Sequence, residues 1–187
     1  MRPLRADARD NRARILTAAE EVFGQSPNAS TDEVAKLAEV GIATVFRHFP
    51  TKVELLEAVL TLRLERLRDR AIELAGRDDA GPAFFDFFSQ VVSESASKLA
   101  IGEALSTSGS VAGQDAKDAG TGMREAFAAL LDRARLAGAV RRDAGFPEVY
   151  ALLIGASRGA TATGLEPEVR DRMLELVYDG LRSGSTS

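Results

Sequence analysis

Apolar residues recur at spacings of three and four along almost the whole chain, which is the period of an amphipathic helix. We find no convincing stretch that alternates apolar and polar residues as a strand does, and no hairpin signal. The pattern therefore predicts an all-α protein of about nine helices. The first predicted helix runs from about Asp7 to Phe23, and its apolar face is made by Ile15, Leu16, Ala19, Val22 and Phe23.

Two short helices are predicted next, over Ser30–Ala38 and Ile42–His48, joined by the three-residue turn Glu39-Val40-Gly41. Ser30 and Glu33 have the spacing of a capping box, in which the Ser30 hydroxyl accepts from the Glu33 amide and the Glu33 carboxylate accepts from the Ser30 amide. Two short helices joined in this way form the helix-turn-helix pattern. In that motif the second helix presents its N-terminal side chains to the major groove of DNA.

The second short helix has the two faces that such a reading helix needs. Val45 and Phe49 are predicted to point into the protein, and Pro50 ends the helix because it disfavours helical geometry at the preceding residue. The outward residues at its start are small enough for a close approach to DNA, and they are Ile42, Ala43 and Thr44.

A long helix with two apolar stripes is predicted from about Thr51 to Ala75, so it has a surface to pack on two sides and could join two modules. We expect a helix-turn-helix domain over residues 1–50, with the motif at about 30–49, and a second domain over 51–187. The stretch from Ser106 to Gly122 is rich in Gly, Ser, Thr and Asp, which predicts a mobile loop, either without helix or enclosing a short one. Further helices are predicted over Pro82–Leu99, Lys117–Ala137, Pro147–Thr163 and Pro167–Leu181.

The stretch from Val34 to Leu56 resembles the DNA-binding segment of the TetR family of bacterial transcriptional regulators, including the trailing His48-Phe49-Pro50-Thr51-Lys52. The stretch from Arg12 to Phe23 is similar to the first helix of that family, and the resemblance covers residues 12–60. It implies an N-terminal three-helix DNA-binding domain and a C-terminal helical bundle for effector binding and dimerisation.

The resemblance also implies roles for individual residues in binding double-stranded operator DNA. Thr31 is expected to contact a phosphate, and Thr44 can hydrogen-bond a base or place its methyl against that of thymine. Phe46 stands where the family most often has tyrosine, so the ring is kept and the hydroxyl is lost. Glu39 stands where glycine is commonest. The full expected DNA-contacting set is Thr31, Ile42, Ala43, Thr44, Phe46, Arg47, His48 and Lys52.

Four of the nine phenylalanines lie between positions 84 and 88, where they form either an ordinary helix core or one wall of an effector cavity. The expected pocket for a small-molecule effector is Phe84, Phe87, Phe88, Val91, Met123, Phe127 and Leu153. The resemblance implies that the last two helices form a four-helix interface in a homodimer. The expected interface residues are Leu152, Gly155, Gly159, Met173, Leu176 and Val177.

The net charge of −4 and the pI of about 5.2 argue mildly, by themselves, against a nucleic-acid partner. The distribution changes that interpretation, because residues 1–14 hold five arginines against two aspartates, whereas residues 53–187 carry a net charge of −5. The basic segment is either a solvated terminus or an arm that seeks phosphate.

The composition leaves little room for catalysis. The chain has no cysteine and one histidine, His48, which the motif places on the reading helix, so a triad or a zinc site lacks its usual residues. We expect no cofactor and no metal. The longest apolar run is too short to cross a membrane, and the N-terminus has no apolar segment like that of a secretory signal, so we expect a cytoplasmic protein.

These observations predict a homodimeric, ligand-responsive repressor of a palindromic operator. A dimer is expected because one helix reads few bases, whereas two helices related by a two-fold axis read paired half-sites. An activator or a DNA-binding protein without an effector is the alternative, and an enzyme is a remote third.

Overall fold

The helical prediction is confirmed in the computed structural model, which describes residues 4–26, 28–95, 101, 105 and 113–184. Within those residues there are eight helices and no strand, and Val140 and Arg182 form an isolated antiparallel bridge. The helices are α1 (Leu4–Gln25), α2 (Thr31–Leu37), α3 (Ile42–His48), α4 (Lys52–Ala75), α5 (Ala80–Ser93), α6 (Gln114–Leu136), α7 (Phe146–Ala162) and α8 (Pro167–Leu181).

The chain divides into two compact units. The first comprises residues 1–63 and 97–117, and the second comprises residues 64–96 and 118–187. The division falls inside α4, between Arg63 and Leu64, and inside α6. The predicted functional boundary between residues 50 and 51 stays a prediction.

The first unit is built around the apolar faces of α1, α2, α3 and the start of α4. Val45 and Phe49 are buried, as the sequence predicts, and Ile101 and Leu105 join the same cluster. A largely buried ion pair holds α4 to α1, since Arg63 Nε lies 3.2 Å from a carboxylate oxygen of Glu20.

The second unit has an aromatic core. Helix α5 is buried on most of its circumference, and α5, α7 and α8 contact one another. The helix predicted over Lys117–Ala137 is confirmed as α6, which begins three residues earlier, at Gln114. The loop predicted as far as Gly122 is therefore wrong from Gln114 onward, and residues 106–112 lie outside the described residues. The glycines that favoured a loop lie close to α4 instead, where a Cβ on Gly122 would come within 3.2 Å of Arg68 Cδ. At the other end of α6, Gly138 takes the left-handed φ of +72° expected at that position.

Candidate nucleic-acid interface

Helix α2 has only seven residues, so its stability depends on how its ends are satisfied. At its start the predicted capping box is present: the Glu33 amide donates to Ser30 Oγ at 3.3 Å, and the Ser30 amide donates to Glu33 Oε1 at 2.9 Å. The hydrogen bonds from Ser30 hold the pKa of Glu33 below its usual value. The carboxylate therefore stays ionised and keeps the cap.

The turn after α2 is a Schellman motif. The Val40 amide donates to the Ala35 carbonyl at 3.0 Å and the Glu39 amide donates to the Lys36 carbonyl at 3.1 Å. Glu39 has a φ of +52°, and it is the only residue other than glycine with a positive φ in the part of the chain that the structure describes. Glycine adopts this conformation freely, whereas a residue with a side chain does so at a cost of roughly 1 kcal/mol.

Arg14 of α1 reaches the same turn. Its Nη2 donates to the carbonyls of Ala38 and Glu39, the second at 3.1 Å, and lies 3.6 Å from a carboxylate oxygen of Glu39. A cation at the last carbonyls of a helix also opposes the negative end of its dipole. Composition groups Arg14 with the basic N-terminal segment, so sequence reasoning missed this contact.

Lys52, the first residue of α4, is engaged inside the unit. Its Nζ donates to the Ala29 carbonyl at 2.7 Å and lies 5.3 Å from the centre of the Phe23 ring. Since an ammonium has three donors, this contact leaves Lys52 able to bind a phosphate as well. Its expected role toward DNA stays a prediction, beside a structural role that the sequence did not predict.

The expected reading residues lie along α3. Ala43 is exposed, whereas Ile42 and Thr44 are half-buried at the edge of the core. Phe46 is 45% exposed, which is high for an aromatic ring. Arg47 is exposed and makes no ion pair or hydrogen bond with the described residues, so its guanidinium is available to a ligand.

The remaining expected contacts flank that helix. Thr31 is the half-buried first residue of α2, and His48 is the half-buried last residue of α3. The His48 ring lies 6.5 Å from that of Phe49, whose other neighbour is Arg12, with its guanidinium carbon 5.1 Å from the ring centre. The unit thus presents small, apolar and cationic side chains on α3, behind the capped helix α2, and this set is suited to groove contact and phosphate binding.

Matches to known proteins cover both parts of the chain. Residues 15–59 match the family described as "Bacterial regulatory proteins, tetR family", and residues 79–183, more than half of the chain, match "Transcriptional regulator SbtR-like, C-terminal domain". The chain belongs to the TetR family of bacterial transcriptional regulators. It is therefore a DNA-binding transcriptional regulator, and its family is not one of enzymes.

This TetR-family chain is similar along most of its length to a solved structure, the TetR transcription regulatory protein from Mycobacterium vanbaalenii. The two are 34% identical, with a TM-score of 0.78 over 96% of this chain and 99% of that one. It is also 33% identical over 69 residues to the regulator SAR0097 of Staphylococcus aureus and 43% over 60 residues to TtgW of Pseudomonas putida. These two matches span 35% and 31% of this chain, and only 36% and 45% of those relatives' own length.

In the second unit of the TetR-family chain, the expected effector-pocket residues are all buried and belong to one cluster. Phe84 and Phe127 stack with ring centres 5.8 Å apart, and Phe87 lies 5.3 Å from Phe127. These are the contacts of a packed core, and their role in binding an effector stays a prediction. A surface cleft of about 510 Å³ lies elsewhere in the unit, lined by Asp132, Arg135, Leu136 and Arg142.

A buried hydroxyl group beside that core has no counterpart in the sequence predictions. Ser157 is 5% exposed, and its Oγ has no hydrogen-bond partner among the described residues. Its neighbour Ser95 is equally buried, with its Oγ 3.1 Å from Thr161 Oγ1. An unpaired buried hydroxyl is unusual, because desolvating it without a hydrogen bond costs free energy.

The expected interface residues of the TetR-family chain lie on the outer faces of α7 and α8. Leu152 and Leu176 are 43% and 76% exposed, and Met173 and Val177 are half-buried. Gly155 and Gly159 are exposed, and a Cβ on either would meet no atom within 4 Å. These glycines therefore do not pack against any of the eight described helices.

Two general properties of the described residues bear on partners. None of the described helices combines the length and apolarity that a membrane span requires. Among the same residues, no three histidine, aspartate or glutamate side chains are grouped so that they could hold a metal ion.

Proposed function

We propose that this protein is a homodimeric repressor that occupies a palindromic operator through α3 and leaves it when a small molecule binds the second unit. The observation that carries the proposal is the state of α3. Its inner face is anchored by Val45, whereas Ala43, Phe46 and Arg47 face solvent on a motif whose first helix is capped at both ends. Such preorganisation suits a helix that enters the major groove.

The contacts that we propose divide into two kinds. Thr44, with its neighbours Ile42 and Ala43, reads base edges at the start of α3. Phosphate contacts, which fix the position of the protein along the duplex, come from Thr31, Arg47, His48 and Lys52. Phe46 packs its ring against the sugar-phosphate backbone without donating a hydrogen bond. Of these, Arg47 is supported best, because it is exposed and makes no ion pair or hydrogen bond with the described residues.

The homodimer is supported by the apolar face of α7 and α8. Leu152, Gly155 and Gly159 follow one helical face, and Val169, Met173 and Leu176 follow one face of the next helix. Exposed leucines beside open glycines allow two helices to approach closely, and a two-fold axis would bury this face against its copy. The dimer would then carry two copies of α3 to two half-sites.

The effector response is supported by the interior of the second unit. Its aromatic cluster offers an apolar lining. The Ser157 hydroxyl, which has no hydrogen-bond partner in the part of the chain that the structure describes, would gain a hydrogen bond from a polar group on a ligand. The expected effector is therefore a largely apolar small molecule with at least one hydrogen-bonding group.

Selection of bound duplexes from a random pool tests the DNA-binding part of the proposal, and recovery of inverted repeats is the expected result. A reporter in cells, with the selected operator overlapping its promoter, then tests the direction of regulation. Repression predicts lower reporter output with the protein than without it, and recovery when a releasing effector is added. Higher output would identify an activator, and output that no small molecule changes would identify a regulator without an effector.

A further inference from the structure

The turn between α2 and α3 is the part of the motif that fixes the direction of the reading helix, and it contains an unfavourable residue. Glu39 has a φ of +52°, a conformation that glycine adopts easily and that the Cβ of glutamate disfavours. Only a short turn separates the end of α2 from the start of α3, so a change at Glu39 changes the direction in which α3 leaves.

One side chain from outside the motif opposes this strain. Arg14 Nη2 bridges the carbonyls of Ala38 and Glu39, and it lies 3.6 Å from the Glu39 carboxylate. The guanidinium thus binds the carbonyls of the two peptide units that flank the α-carbon of Glu39. Because the carboxylate belongs to the same residue, a single ion pair also draws the Glu39 side chain toward α1.

We propose that Arg14 is a positioning residue for DNA reading, which holds the Glu39 turn and so sets the direction of α3, rather than a phosphate contact. The inference rests on the proposal that α3 reads DNA. The two descriptions of Arg14 differ in what they predict. A phosphate contact strengthens the binding of all DNA sequences equally and adds about one unit to the slope of log affinity against log salt concentration. A positioning residue strengthens binding to the cognate operator and leaves that slope unchanged.

The experiment compares Arg14→Met with Arg9→Met, which removes the same charge from an exposed position about one and a half turns earlier on α1. Affinities for the selected operator and for random duplex DNA are measured over a range of salt concentrations. Arg14→Met is expected to weaken operator binding about tenfold, with a smaller change for random DNA and an unchanged salt slope. Arg14→Lys, which keeps the charge on a side chain without the guanidinium fork, is expected to fall between Arg14→Met and the unaltered protein.

Glu39→Gly supplies the decisive background, since glycine removes the strain that Arg14 opposes. In that background Arg14→Met is expected to weaken operator binding only about twofold, compared with about tenfold in the unaltered chain. Without DNA, Arg14→Met is likewise expected to lower the free energy of unfolding in urea less in the Glu39→Gly background than in the unaltered chain. This measurement tests the contact between Arg14 and the turn even if α3 does not read DNA.

Two results would overturn the inference. One is an Arg14→Met variant that behaves like Arg9→Met, with a lower salt slope and equal losses on operator and random DNA. The other is an equal loss from Arg14→Met in the unaltered chain and in the Glu39→Gly background, in both the binding and the unfolding measurements, because Arg14 would then act independently of the turn.

Discussion

Replacing Leu176 by aspartate tests the proposed dimer at its most exposed apolar residue. Leu176 is 76% exposed in the chain, so most of its surface is available for burial in an interface. Fully burying a leucine stabilises by about 1.5–3 kcal/mol, and a two-fold axis buries the residue twice. The substitution should therefore weaken the free energy of dimerisation by about 3–6 kcal/mol, which raises the dissociation constant of the dimer by a factor of roughly 10²–10⁴. Two desolvated carboxylates facing each other would add to that cost.

Leu136 offers a matched control, because it is 85% exposed at the end of α6 and lies outside the proposed face. Light scattering across the micromolar range should give a dimer for the unaltered chain and for Leu136→Asp, and a monomer for Leu176→Asp. Circular dichroism checks that both variants keep their helices. A dimeric Leu176→Asp variant, or a monomeric unaltered protein, would refute the assignment of this face.

Thr44→Ala should reduce the preference for one base pair in each half-site by about 1 kcal/mol, and an unchanged specificity profile would show that Thr44 does not read a base. Lys52→Met should lower the unfolding free energy by about 1–2 kcal/mol in urea, through loss of its bond to Ala29, and flatten the salt slope of DNA binding by about 0.9. Burial raises the pKa of Tyr178 to about 12, so the fold favours the protonated phenol. Its contribution to stability is complete below about pH 10 and is lost as the pH rises through about 12, so the unaltered chain should lose more stability over that interval than Tyr178→Phe. Equal losses in the two proteins would contradict the role of Tyr178.

The features that the sequence predicted correctly are those that depend on nearby residues. The capping box joins Ser30 to Glu33, three positions apart. The inward positions of Val45 and Phe49 follow from helical period and from Pro50. In each case the interacting groups lie within about one helical turn, so the local pattern contains the whole interaction.

The features that the sequence missed join distant parts of the chain. Arg14 reaches a carbonyl 24 residues away, and Lys52 reaches one 23 residues away. Every residue has a backbone carbonyl, so no sequence pattern identifies which carbonyl will bind a cationic side chain. The loop predicted as far as Gly122 is wrong from Gln114 onward, and from Lys117 it overlapped a helix that the apolar period predicted correctly. Glycine content alone does not distinguish a loop from a helix that lies beside another helix.

The sequence by itself determined an all-helical chain, a capped helix-turn-helix with its outward reading residues, and the family to which the protein belongs. Those properties come from local hydrogen bonding and from the spacing of apolar side chains. Only the tertiary structure decided that Arg14 binds the turn, that Glu39 occupies a left-handed conformation, and that Lys52 holds the segment before α2. It also decided that Gly155 and Gly159 have no atom of the described residues close to where a Cβ would stand, because exposure depends on which elements pack together and not on the residue itself.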